Sequence, residues 1–458
     1  MAGSHRRVSM RATTVRNLRA LSRVRNEHAH ACGKSFLFVG DVVPFLSKRS
    51  SPLCLLSLVA SAALPMYTHA QAFSLDVGGR VQLDYSQFDG IYSEDGRTEE
   101  AAYFRRAYLE LTGVAFSDWD YTFNYDFSHN SGSREDGYIH EASVEYTGLP
   151  VVDIKLGRFD PEFGLEKATG SKYVTALERN PGYEMSSWVN SHQNGFVARV
   201  AAQPSDWAYA SATLARKEGN ADGDHVGQVN GRAVFAPRHS SGDVLHFGVN
   251  VARRDLDGIR NADVRYRSRL NIRGVDTDGG HDAGSNGRVN EFGGTDDRSS
   301  GDWSHEQVWG LEAAWAQGPV SVQGEYLTRR SYADAEGLEG IRGDAWFAQV
   351  AYTLTGEARE YKLGRFGQIK PERKRIGAWE VFYRYDHLAV DDPATDEASR
   401  TPMVGTARAC VHNLGLNWYA SDAIRVSGMY VRAKLDNRRN EAGDRRGDGL
   451  VVRAQYAF

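Results

Sequence analysis

Leu75-Asp76-Val77-Gly78-Gly79-Arg80-Val81-Gln82-Leu83-Asp84-Tyr85-Ser86 decides the fold class. Leu75, Val77, Gly79, Val81, Leu83 and Tyr85 alternate with Asp76, Gly78, Arg80, Gln82, Asp84 and Ser86. An extended chain sends successive side chains to opposite faces, so one face here is apolar and the other polar. The period recurs in Trp119, Tyr121, Phe123, Tyr125 and Phe127, in Trp346 to Leu354, and in Trp379 to Tyr385. It closes the chain in Leu450, Val452, Ala454, Tyr456 and Phe458. Segments of about 9–11 residues with aromatic ends suit strands that cross a bilayer obliquely. After residue 72 no apolar run reaches the length of a membrane-spanning helix. The pattern therefore predicts an all-β, transmembrane antiparallel barrel.

The first 72 residues read differently. Lys48 and Arg49 precede an apolar run from Pro52 to Leu64, and Ala70-Gln71-Ala72 offers a small-x-small cleavage site. That is the pattern of a secretory signal peptide over residues 48–72. Such a leader starts near the initiating methionine, so residues 1–47 read as a mis-assigned N-terminal extension and 73–458 as the barrel domain. Taking the ten basic and two acidic residues before Phe73 from totals of 55 and 59 leaves 45 and 57, a net charge of −12. Cys32 and Cys54 leave with the leader, so Cys410 has no partner for an intramolecular disulfide. An exported chain of this kind is expected in the outer membrane.

Connections alternate in length. Short ones are read at 114–118, 147–150, 203–205, 237–242, 316–319 and 420–422. Long polar ones are read at 89–100, 128–136, 159–194, 217–225, 254–305, 328–343, 389–410 and 433–446. Outer-membrane barrels keep short turns in the periplasm and long loops outside. The stretch Val264-Arg265-Tyr266-Arg267-Ser268-Arg269-Leu270-Asn271-Ile272-Arg273 tests this order. As a wall strand it gives about seventeen strands, whereas leaving it out gives about sixteen, an even number with every short turn on one side. It is therefore expected inside the fifth long loop, folded inward along the wall. Arg265, Arg267, Arg269 and Arg273 would then form a single file at rungs of about 6.6 Å, with Asn271 on the vacant rung. Bare charges at that spacing repel by about 2.5 kcal/mol at an effective dielectric of about 20, so the file needs water, acidic partners or an anion. The third loop, 159–194, and the long basic connection 356–376 are the other segments expected in the lumen.

Several motifs occur in a recognisable order: Phe104-Arg105-Arg106-Ala107-Tyr108-Leu109, Gly157-Arg158-Phe159, Phe163-Gly164-Leu165-Glu166 and Ser171-Lys172-Tyr173 leading to Glu178-Arg179. Gly324-Glu325-Tyr326, Leu354-Thr355-Gly356-Glu357, Gly377-Ala378-Trp379-Glu380 and Leu416-Asn417-Trp418-Tyr419 follow. Together they resemble the phosphate-selective porins of the O and P type over residues 73–458. The resemblance implies a sixteen-stranded trimeric barrel with the third and fifth loops and one periplasmic turn in the lumen. It implies an anion-binding eyelet with Arg105, Arg106 and Tyr108 on the wall and Lys167 or Lys172, with Arg179, on the third loop. It likewise implies an anion ladder of Arg265, Arg267, Arg269 and Arg273, and a periplasmic basic cluster of Lys370, Arg373 and Lys374. The family's cluster is richer in lysine, and Asn271 interrupts the ladder; both departures bear on phosphate preference more than on anion passage.

Arginine suits such a path because it stays charged and its planar fork can share two hydrogen bonds with a phosphate before passing it on. Conduction needs several moderate sites rather than one tight one. The expected partners are inorganic phosphate or other small anions, outer-membrane lipid and lipopolysaccharide, two further copies of the chain, and the barrel-assembly machinery through Phe458. No cofactor, metal or nucleic acid is expected. Asp276-Thr277-Asp278-Gly279 lacks the rest of a calcium-loop spacing. The chain has no Gly-x-Ser-x-Gly, His-Glu-x-x-His or phosphate loop, which argues against an enzyme. The alternatives are a general or other-solute porin with a neutralised ladder, and a plugged surface barrel of structural or adhesive role.

Overall fold

The computed structural model describes residues 73–93, 95–128, 137–192, 195–218, 224–257, 259, 264–274, 290–293, 303–333, 340–392, 406–437 and 443–458. Residues 1–72, expected from the sequence to be an extension and a leader, and Asp276 and Asp278 lie outside the described residues. The wall begins with β1 (Asp76–Phe88), β2 (Glu99–Ala115), β3 (Trp119–Asp126), β4 (Tyr138–Tyr146) and β5 (Val152–Arg158). It continues with β6 (Phe196–Ser205), β7 (Ala208–Glu218), β8 (His225–Ser240) and β9 (Asp243–Asp255). Two short strands, β10 (Tyr266–Ser268) and β11 (Asn290–Gly293), pair only with each other. The wall resumes with β12 (Trp303–Gln317), β13 (Val320–Ala333) and β14 (Ile341–Thr353). A second small hairpin, β15 (Arg359–Lys362) and β16 (Arg365–Ile369), precedes β17 (Ala378–Asp391), β18 (Ala407–Tyr419), β19 (Ile424–Asp436) and β20 (Arg446–Ala457). Sixteen strands close antiparallel, with Arg80 of β1 opposite Ala457 and Phe88 opposite Gly449 of β20.

Burial along the wall is inverted relative to a water-soluble protein. On β1, Arg80, Gln82, Asp84 and Ser86 are buried while Val81, Leu83 and Tyr85 are exposed. The same holds for Asn250 against Val249 and for Asn413 against Leu414. An apolar outer band around a polar interior is stable only where hydrocarbon replaces water outside, so the alternation reads as a membrane wall and not as half a sandwich.

The arginine stretch is off the wall, as strand parity requires, but it is not one extended file. Only Tyr266–Ser268 is strand, and Leu270 and Asn271 take φ of 49° and 73°. That left-handed turn breaks the two-residue period, so Arg269 and Arg273 are not successive rungs below Arg267. The apolar side does pack inward against the barrel wall: Val264, Tyr266, Leu270 and Ile272 are buried. Tyr266 meets Ser331 Oγ at 2.8 Å beneath the Arg329 guanidinium, 4.0 Å from its ring centre. Gly343 of β14 leaves room for this seat, since a Cβ there would lie 2.6 Å from Met185 Sδ and 2.8 Å from the Tyr266 ring.

One short turn falls later than expected and another is tighter. The chain reverses after β6 at 206–207, beyond residues 203–205, and after β8 at 241–242, the last two residues of the expected 237–242. Pro204 and Pro237, read as turn residues, sit instead where the register shifts, between Ala202 and Ser205 and between Phe235 and Arg238. Proline lacks the N–H a regular ladder needs, and a bulge is where a strand tolerates it. Strands also run further into the long loops than expected, for example to Ala333 in β13 and Asp391 in β17.

Candidate functional site

Consecutive residues of a regular strand face opposite ways, so Arg105 and Arg106 cannot both line a lumen without a distortion. The distortion is a bulge. Gln82 pairs with Arg106 and Leu83 with Phe104, which leaves Arg105 as the extra residue. Both guanidiniums turn inward and are buried, while Phe104 stays 56% exposed outside. Bulges re-aim side chains in this manner beside functional sites. Tyr108 shares the face of Arg106 and stands opposite Arg80, whose guanidinium lies 4.6 Å from the tyrosine ring centre. Arg80 Nε is buried without a hydrogen-bond partner.

The two arginines of the bulge are differently engaged. Arg105 donates Nε and Nη2 to the Glu178 carboxylate at 2.7 and 3.0 Å, whereas Arg106 donates Nη1 to Gln82 Oε1 at 2.8 Å. Glu178, on the third loop, also accepts from Arg273 Nε and Arg453 Nη2, each at 2.8 Å. Burial alone would raise the Glu178 carboxyl, but Arg105, Arg273 and Arg453 outweigh it and hold the group well below the usual carboxylate range. Glu184 accepts from the Ser268 hydroxyl, the Arg269 N–H and Arg269 Nη1 at 2.9, 2.7 and 2.9 Å. Two acids of the third loop thus fasten residues 268–273 of the fifth. Arg265 offers its carbonyl to Arg329 Nη1 at 3.0 Å, and Arg267 is buried. Asn271, on the vacant rung, donates Nδ2 to Asp386 at 2.8 Å and to Asn413 at 3.0 Å.

The wall clamps the third loop through its backbone. Arg425 donates to the carbonyls of Val174 and Thr175 at 2.8 and 2.7 Å, Asn417 to Thr175 at 3.0 Å, and Arg359 to Tyr173 at 2.6 Å. On the same loop Arg179 rests Nε and Nη2 on the carbonyls of Glu166 and Thr169, both at 3.0 Å. Lys167 lies 2.9 Å from Asp160, which also meets His192 Nδ1 at 2.8 Å. Burial lowers the Lys167 ammonium despite Asp160, with Arg179 and Arg106 adding to the effect. Burial would raise Asp160, but Lys167 and His192 hold it well below the usual aspartate range.

The two lysines of the third loop face different surroundings. Lys172 lies 5.2 Å from the Tyr173 ring centre and lines a cavity of about 190 Å³ with Arg359, Arg425 and Phe458. Lys167 instead sits within electrostatic reach of Arg106 and Arg179, and Arg80 within reach of both arginines. Among the described residues no carboxylate lies within 4 Å of Arg80, Arg106, Arg179 or Lys172. Lys370, Arg373 and Lys374 are exposed at the short-turn end, where Lys370 pairs with Glu360 at 2.7 Å. Lys370 lies within electrostatic reach of Tyr173 on the third loop. Arg80 escaped the sequence reading, although its inward parity on β1 was visible; what was missing was its register against Tyr108. Among the described residues no group of three or more His, Cys, Asp or Glu could hold a metal ion.

Known proteins of the same kind match nearly the whole described chain. Residues 75–458 match the family described as phosphate-selective porin O and P. Porin O of Pseudomonas aeruginosa is 52% identical over 398 residues, covering 86% of this chain and 91% of the relative. An uncharacterised protein of Caulobacter vibrioides is 26% identical over 350 residues, 72% of this chain and 64% of that one. Among solved structures, the anion-selective porin from Comamonas acidovorans has a TM-score of 0.51 at 12% identity, covering 84% of this chain and 100% of that one. OmpT of Vibrio cholerae, in its trimer form, gives 0.51 at 10% identity over 84% of this chain and 100% of that one. These structures share the fold. The chain is therefore an outer-membrane porin, a channel rather than an enzyme, and it belongs to the phosphate-selective porin O and P family.

Proposed function

We propose that the chain is a passive outer-membrane channel for anions, with phosphate or polyphosphate as its cargo. The observation that carries this reading is the inward group of Arg80, Arg106 and Arg179, buried or half-buried with no carboxylate within 4 Å among the described residues. Cations held by carbonyls, an amide and a tyrosine ring keep their charge for a passing anion. Arg105, in contrast, is occupied by Glu178. The eyelet then consists of Arg80, Arg106, Tyr108 and Arg179, with Lys167 beside it. Arg265, Arg267, Arg269 and Arg273 form the approach, Lys172 lines the far side, and Lys370, Arg373 and Lys374 stand at the periplasmic mouth.

A second reading has one observation in its favour. Arg269 and Arg273 are ion-paired with Glu184 and Glu178, as in a general porin with a neutralised ladder. Phosphate block of chloride current in planar bilayers separates the two. Neutralising Arg80, Arg106 and Arg179 to glutamine should weaken block by about tenfold or more, because each charge-assisted contact contributes about 1.5–3 kcal/mol. Unchanged block would place the anion elsewhere, and a wild-type reversal potential of cation sign would reject the anion reading altogether.

A further inference from the structure

The outward face carries cations that the lumen does not use. Arg253 of β9, Arg330 of β13 and Arg342 of β14 are exposed at the long-loop ends of their strands. Register sets them in one row: Gln307 of β12 stands between Arg253 and Arg330, and Arg330 stands directly opposite Arg342. Their strand neighbours Arg254, Arg329, Ser331 and Ile341 are buried inside, so the row points away from the lumen. Like charges directly opposite on a strand pair, with Cβ atoms roughly 5 Å apart, repel unless an anion lies between them. Arg342 is braced by Asp344 through Nε at 2.9 Å and Nη2 at 3.2 Å, which leaves Nη1. Among the described residues no carboxylate lies within 4 Å of Arg253 or Arg330. The acids flanking the row are Asp391 of β17, directly opposite Arg342, Asp344, one rung toward the short-turn end, and Asp255, one rung outward on β9, so Arg253 and Arg330 carry the charge that is left for an anion.

The level of the row in the membrane follows from what lies below it. Two residues toward the short-turn end the outer face becomes Val251 and Trp309, the latter 57% exposed, and two further on Leu311, Tyr326 and Trp346. Tryptophan and tyrosine gather where hydrocarbon meets headgroups, so the arginine row stands among the headgroups of the outer leaflet. From Arg253 to Arg342 it spans three strand steps, about 14 Å at roughly 4.8 Å each. One phosphate covers one or two guanidiniums; covering the row takes more than one phosphoryl group on a single headgroup.

We propose that Arg253, Arg330 and Arg342, with Gln307 between them, bind the phosphoryl groups of a multiply phosphorylated glycolipid of the outer leaflet, while Val251 and Trp309 pack its acyl chains. The site uses no lumen residue. Native mass spectrometry of the detergent-folded full chain tests it, with bis-phosphorylated acyl-glucosamine disaccharide as the probe. Its dephosphorylated form, phosphatidylglycerol and inorganic phosphate serve as the other arms. Wild type should retain the bis-phosphorylated lipid at least tenfold better than R253Q/R330Q, with both barrels folded by heat-shifted gel mobility and equal in single-channel conductance. Equal retention by the variant, or equal binding of the dephosphorylated lipid, overturns the proposal. Equal binding of phosphatidylglycerol, or displacement by millimolar inorganic phosphate, overturns the commitment to a glycolipid.

Discussion

Asp160 illustrates how the third loop trades charge between holding itself and serving the lumen. Its carboxylate takes Lys167 at 2.9 Å and His192 at 2.8 Å, and both side chains of the Lys167 pair are about one-fifth exposed. Its folded-state pKa lies below that of the unfolded chain because Lys167 and His192 outweigh burial. A depressed carboxyl stabilises the fold above its unfolded value and loses that contribution as pH falls through the folded value. Asp160→Asn should therefore destabilise the barrel by about 1–3 kcal/mol at neutral pH, as expected for losing hydrogen bonds to a charged group. The deficit should shrink once pH drops below the ordinary aspartate range near ~4. Thermal unfolding of the detergent-solubilised protein at pH 7 and pH 3 measures both. A deficit of the same size at the two pH values would mean that the charge of Asp160 is not what matters.

At the scale of elements, the inward seat of β10 depends on a missing side chain. Tyr266 and Met185 both approach Gly343 more closely than any Cβ allows, and a flat ring has no way to give as a methionine tip can. Gly343→Val should lift β10 from the wall, raise single-channel conductance and lower the melting temperature, with a cost of about 1–3 kcal/mol typical of overpacking. Unchanged conductance together with unchanged melting would show that Tyr266 repacks without moving its strand. That the arginine stretch is a loop followed from parity alone, because one strand too many inverts the side of every later turn. Its local shape did not follow. The left-handed pair Leu270 and Asn271 answers to contacts made far along the chain, such as Tyr92 Oη on the Leu270 carbonyl at 2.9 Å and Asn271 on Asp386. The acid partners were equally hidden. Glu178 stands 73 residues from Arg105 and 275 from Arg453, so sequence could list the cations but not say which were already taken. The bulge that turns Arg105 inward was not legible either, since alternation presumes regular pairing.

At the scale of the molecule, charge is separated by place. The chain after residue 72 carries a net −12, yet beside the third loop four guanidiniums, those of Arg105, Arg269, Arg273 and Arg453, gather around Glu178, Glu184 and Asp84. What an ion meets is the local potential of the passage and not the sum over the chain. That potential reaches about 10 Å at 0.1 M salt and about 3 Å at 1 M, so an electrostatic approach should fade as salt rises while a steric one should not. Arg267→Ala with Arg269→Ala removes two charges from the approach and frees Glu184 from one partner, which makes the remaining field less favourable to anions. Anion conductance in planar bilayers should therefore fall several-fold at 0.1 M and by much less at 1 M. Equal loss at both salts would mean that the pair acts through packing, as Arg269 does in holding the fifth loop against Glu184, and the passage would then owe its selectivity to Arg80, Arg106 and Arg179 alone.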